Sequence, residues 1–93
     1  MPEYASAFDS LGRTPAETEQ LKLRATLMRA LRTHISKQGW TQTEAEEHFG
    51  VGQPRISDLM RGKVSKFSVD KLAEMIGAVG LHIEARVLVP EPA

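Results

Sequence analysis

The sequence predicts an all-α domain of four compact helices, with an arm ahead of it and a single β-strand behind it. Three observations carry that expectation. Apolar residues recur at helical spacing in separate runs, a glycine follows each run, and a Thr, Gly or Ser stands ahead of each as a cap. After the last of these glycines the apolar period changes from helical to two. With 93 residues the chain has the length of one small domain and no room for a second core. It divides into a flexible arm over 1–13, a helical domain over 14–80, and a strand with its tail over 81–93.

The arm shows neither period, since Tyr4, Phe8 and Leu11 stand among small and polar residues. In Thr14-Pro15-Ala16-Glu17, Thr14 can cap, Pro15 suits the first helical position and Glu17 can reach back in a capping box. The first helix follows, with Leu23, Leu27, Leu31 and Ile35 every four residues and Ala30 beside them as a buried stripe, and it ends near Lys37 ahead of Gly39. Thr41-Gln42-Thr43-Glu44 repeats the capping box, Trp40 is placed to staple the chain against Ala45, and Phe49 carries the apolar face on to Gly50. Gly52-Gln53-Pro54-Arg55 opens a third helix, whose buried side is Ile56, Leu59 and Met60 and which Gly62 closes. Ser68 caps the fourth, with Val69, Leu72, Ala73, Ile76 and Val79 at helical spacing up to Gly80.

Leu81, Ile83, Ala85, Val87 and Val89 then alternate with His82, Glu84, Arg86 and Leu88 until Pro90 and Pro92. A lone strand exposes unpaired backbone groups, so pairing with the same strand of a second chain is the economical solution. Leu81, Ile83, Ala85 and Val87 are the expected dimer contacts. The alternative is a strand that lies against its own helices or pairs with the arm.

The net charge of zero hides segregation. Up to Gln20, four acids (Glu3, Asp9, Glu17, Glu19) oppose Arg13; from Phe67 onward, Asp70, Glu74, Glu84 and Glu91 oppose Lys71 and Arg86. Between them nine cations (Lys22, Arg24, Arg29, Arg32, Lys37, Arg55, Arg61, Lys63, Lys66) face four acids (Glu44, Glu46, Glu47, Asp58), a balance of +5. A basic centre between acidic ends suits a protein that meets nucleic acid with one region and another partner with the rest.

The same composition argues against other classes. The absence of cysteine excludes disulfides, thiolate metal sites and a nucleophilic thiol. His34, His48 and His82 belong to different elements without metal-ligand spacing, and Glu44, Glu46 and Glu47 complement a helix dipole. No metal, cofactor or enzymatic activity is expected. Nothing approaches a membrane span, and the N-terminus lacks the basic start and apolar stretch of a signal peptide, so a cytoplasmic location is expected.

A short capped helix, the turn Gly50-Val51-Gly52 and a second short helix have the spacing of a helix-turn-helix unit, whose second helix lies in the major groove of DNA. With Ile56, Leu59 and Met60 inward, Pro54, Ser57, Asp58 and Arg61 point outward, flanked by Gln53 and Arg55. Gln pairs with adenine, Arg with guanine or phosphate, and a proline ring can touch a thymine methyl. Gln42, at the start of the second helix, is a candidate phosphate clamp. Arg61, Lys63 and Lys66 are expected to supply affinity through phosphates. Asp58 is expected to balance charge on Arg55 or Arg61, with a contact to cytosine as its other reading. The DNA-binding set is therefore Gln42, Gln53, Pro54, Arg55, Ser57, Arg61 and Lys63.

The run TQTEAEEHFGVGQPRISDLMRGK resembles the helix-turn-helix of the XRE family of repressors, in its Thr-Gln helix start, Gly-Val turn, Gln-Pro-Arg-Ile-Ser reader and Arg-Gly-Lys exit. The long basic first helix, KFSVDKLAEMIGAVGL and HIEARV are similar to the HigA-type antitoxin branch, over roughly residues 20 to 89. The resemblance implies a lambda-repressor-like fold and a dimeric antitoxin, which neutralises a small basic RelE/HigB-like toxin (a ribosome-dependent mRNA endonuclease) and represses its own operon at an inverted repeat. A free-standing XRE-type regulator without a toxin partner is the other reading. Gly52 departs from relatives that carry Ser or Thr at the cap, which removes one side-chain contact to phosphate.

Overall fold

A computed structural model describes residues 14–90, and the expected arm over 1–13 lies outside the described residues, as do 91–93. The order is α1 (Pro15–Gln38), α2 (Gln42–Phe49), α3 (Gln53–Met60), a 3-10 turn over Val64–Lys66, and α4 (Val69–Ala78). Among the described residues the architecture is all-helical.

Both capping boxes form: Thr14 with Glu17, and Thr41 with Glu44, exchange side-chain and main-chain hydrogen bonds. Ser68 Oγ accepts from the Lys71 N–H at 3.0 Å. The helices also stop by a shared device. The Trp40, Val51, Lys63 and Leu81 N–H groups each reach back to a carbonyl five residues earlier, those of Ile35, Glu46, Asp58 and Ile76, across a glycine with positive φ. This is Schellman closure, and Trp40, Val51 and Leu81 then fold their apolar side chains onto the core. At Gly50 the φ of 69° lets the chain turn into the short α2–α3 link, a conformation that a side chain would strain.

The core comprises Leu27, Met28, Leu31 and Ile35 of α1, Ala45 and Phe49 of α2, Ile56 and Leu59 of α3, Phe67, and Leu72, Met75 and Ile76 of α4. The expected α1 stripe is corrected here: Leu23 is 43% exposed and Ala30 is also exposed, whereas Leu21 and Met28 are buried. Four residues advance a helix by about 400°, so an i, i+4 row drifts around the axis by about 40° per step. Over the three steps from Ile35 back to Leu23 the row leaves the core, and the 21, 28, 35 row replaces it. Met60 is likewise corrected: it is 40% exposed at the last position of α3, where no further turn covers it.

No strand forms over 81–90 in the single chain, contrary to the expectation. Leu81 packs on the core, but Ile83, Ala85 and Val87 are exposed, as are Leu88 and Val89. The physical reason is the lack of a neighbour: strand hydrogen bonds need a second strand, and the helices offer none. The segment over 81–84 instead forms one wall of a groove of about 510 Å³, whose other wall is the Thr26, Ala30 and Thr33 side of α1.

Candidate nucleic-acid interface

The hydrophobic face of α3 sets the rest of its geometry. Ile56 and Leu59 are fully buried, so Pro54 and Arg61 project to the opposite side and are exposed, while Ser57 and Asp58 lie half-buried between them. Gln53, the first residue of α3, is exposed, and so is Gln42, the first residue of α2. Each helix starts with N–H groups that lack an intrahelical partner. At α2 Thr41 occupies that of Glu44, and at α3 Gly52 brings no side-chain cap. The first-turn N–H groups left for phosphate oxygens are those of Gln42 and Thr43 at α2 and that of Gln53 at α3, because Pro54 carries none and the Arg55 N–H is bonded to the Gly52 carbonyl.

Arg55 lies on the expected flank, half-buried, and has partners that the sequence did not indicate. Its guanidinium donates to the Lys66 carbonyl at 2.9 Å and lies 5.2 Å from the centre of the Phe67 ring. It therefore ties the first turn of α3 to the segment ahead of α4. This clamp folds Lys66 back, so that Gly52, Pro54, Arg55, Asp58 and Lys66 together line a shallow depression of about 460 Å³. Sequence order places Lys66 beyond the end of α3; the fold brings it beside the helix's beginning.

Asp58 is paired with neither Arg55 nor Arg61. Its Oδ1 lies 3.8 Å from Lys63 Nζ, because the Schellman turn at Gly62 returns Lys63 to the Asp58 end of the helix. Arg61 stays exposed. Among the basic residues of α1, Arg32 donates to the Leu59 carbonyl at 3.2 Å and Arg24 to the Phe67 carbonyl at 3.5 Å. These two arginines support the unit from behind. The basic residues that remain outward near α3 are Arg61, Lys63 and Lys66.

At the base of α2, Trp40 stacks on His48 with ring centres 3.9 Å apart, and meets His34 and Phe49 edge-on at 5.2 and 5.9 Å. Trp40 packs on the core cluster, and two histidines and Phe49 serve as its aromatic neighbours. Glu44 has its carboxyl held below the usual carboxylate range, first by the Thr41 N–H it accepts, then by the Thr41 hydroxyl and by nearby His48. Among the described residues no group of three His, Asp or Glu side chains is arranged to hold a metal ion, and no helix is long and apolar enough to cross a membrane.

Sequence reasoning missed the Arg55 clamp, the Arg24 and Arg32 supports and the burial of Phe67. The one available signal was Phe67 itself, an aromatic between two helices with no apolar stripe to join. No curated protein matches this chain. The profile of the helix-turn-helix domain matches residues 8–88. Since that span is most of the chain, and the α2–turn–α3 unit is present within it, the protein belongs to the helix-turn-helix domain family of DNA-binding regulators.

Proposed function

We propose that this protein is a dimeric, sequence-specific repressor of its own operon, in which α3 reads the major groove. The observation that carries the reading is the outward side of α3: Gln53, Pro54, Ser57 and Arg61 share a polar surface with Gln42 and the uncapped start of the helix. Gln53 reads a base, Pro54 offers an apolar contact, Gln42 clamps a phosphate, and Arg61 with Lys63 adds affinity. Arg55 is a positioning residue, which acts through Lys66. Two such helices, related by dimer symmetry through the C-terminal segment, read an inverted repeat with half-sites about one helical turn apart. Repression is steric exclusion of polymerase. The role is one of binding rather than catalysis.

The finer reading is an antitoxin of the HigA type, whose partner is a small basic RelE/HigB-like mRNA endonuclease. It is supported by the similarity of the long basic first helix, KFSVDKLAEMIGAVGL and the closing HIEARV segment to that branch. The free-standing XRE-type regulator differs from it only in lacking this partner.

A gel-shift titration over a range of salt, with the protein's own upstream region against scrambled DNA, tests the repressor. A preference of about a thousandfold or more supports it; equal, weak binding to both overturns it. Co-expression with the product of the adjacent reading frame tests the antitoxin. Relief of growth arrest together with a stable complex supports it, and a neighbour that neither arrests growth nor binds leaves the free-standing regulator.

A further inference from the structure

We infer that the surface formed by Leu81 to Val89 docks a second copy of this chain in one specific antiparallel register, with the two-fold axis passing through Ala85. The inference rests on the dimeric reading above and deepens it. The segment leaves Ile83 partly exposed along the α1 groove and presents Val87, Leu88 and Val89 to solvent at 93, 78 and 85% exposure. Its odd positions are apolar from Leu81 to Val89, while His82, Glu84 and Arg86 occupy even ones, with Leu88 the one apolar residue among the even positions.

Symmetry and charge then select the register. An axis between two residues sets odd positions opposite even ones and mixes the apolar with the polar face. An axis through Glu84 opposes two glutamates, and one through Arg86 opposes two arginines, both unfavourable. An axis through Ala85 sets Glu84 opposite the partner's Arg86, twice by symmetry, and Ile83 opposite the partner's Val87. Of the registers that keep the faces apart, only this one brings the two charges together.

A second, independent feature agrees. With the axis at Ala85, the partner's Val87 and Val89 run alongside Ile83 and Leu81, the residues that form one wall of the groove against α1. The most exposed apolar residues of each copy are thereby carried to the Thr26, Ala30 and Thr33 side of the other. The pairing also supplies the hydrogen-bonding neighbour whose lack keeps 81–90 from forming a strand in the single chain.

The chain has no cysteine, so single thiols report the register cleanly. In the full-length protein, Ala85→Cys places two thiols directly opposite each other, at a Cα separation of about 4.5–5.5 Å, which a disulfide spans. Ile83→Cys leaves its two copies more than about 13 Å apart. Mild oxidation is expected to cross-link Ala85→Cys and the Ile83→Cys, Val87→Cys double variant, but not Ile83→Cys alone. In sedimentation equilibrium, Glu84→Arg and Arg86→Glu each weaken the dimer about tenfold, and the double reversal restores it. A dimer in which Ala85→Cys stays uncross-linked, or in which the double reversal fails to rescue, overturns the register and leaves DNA reading by α3 intact. A chain that is monomeric at about 100 μM overturns the register and the dimeric reading together.

Discussion

Arg55 and Lys66 are joined by a hydrogen bond of 2.9 Å from guanidinium to main-chain carbonyl, with the Phe67 ring beneath the guanidinium. The bond links the start of α3 to a cation eleven residues later. An arginine on the flank of α3 is thus bonded to the main chain of a residue remote in sequence.

The consequence for binding is a distinct signature. Arg55→Ala should lower affinity for the upstream region and for scrambled DNA by similar factors, because what it loses is the placement of Lys66 rather than a base contact. It should also cost about 1–2 kcal/mol of stability, from one charged hydrogen bond and one cation–π contact, each partly exposed. Parallel gel-shift and urea titrations measure both.

Gln53→Ala should behave in the opposite way. A loss of about 1–3 kcal/mol confined to the upstream region, with relaxed preference at one base pair, is expected, while scrambled DNA binds as before. Gel shifts with single-base operator variants locate that position.

The loose Asp58–Lys63 pair, at 3.8 Å, places a carboxylate on the side of α3 proposed to face DNA. Asp58→Asn should strengthen binding to all sequences by about 0.5 kcal/mol and steepen the salt dependence, whereas Lys63→Ala should weaken all binding and flatten it. Affinities at several salt concentrations give both slopes.

Two neighbours in α3 test which side faces the core. Leu59 is fully buried and Met60 is 40% exposed. Leu59→Ala should cost about 2–5 kcal/mol and Met60→Ala less than about 1 kcal/mol, as measured by chemical denaturation.

Glu44 gives the pH dependence a sign. Its carboxyl is held below its ordinary value because the charged form accepts the Thr41 N–H at 2.8 Å. The resulting stabilisation is complete above the ordinary carboxylate value and is lost as the pH falls through the lowered one. Glu44→Gln should therefore lower the Tm at neutral pH and match the parent in strong acid, a comparison that thermal denaturation across the acid range makes directly.

Local chemistry was legible because it depends on neighbours in sequence. Both capping boxes, the glycine stops after α1, α2 and α4, and the inward Ile56 and Leu59 follow from residues within one or two turns of each other. What depended on distant contacts was not. Arg24 and Phe67 lie forty-three residues apart, and Arg32 and Leu59 twenty-seven, so no spacing rule relates them. The α1 stripe misled for a different reason: leucines at every fourth position look regular in sequence yet spiral off the buried side. The C-terminal alternation misled because a period of two forms a strand only beside another strand, and the described helices offer none.

Arg24 and Arg32 are eight residues apart on α1, about 12 Å along its axis, and they grip carbonyls on either side of the stretch between α3 and α4. That spacing works as a ruler: the two ends of the exit loop are fixed from outside the loop itself. Positions 61, 63, 65 and 66 are exposed between those anchors, so their side chains can be exchanged without moving the frame. Lineages descended from such a chain can change the charge presented at these positions while inheriting an unchanged scaffold.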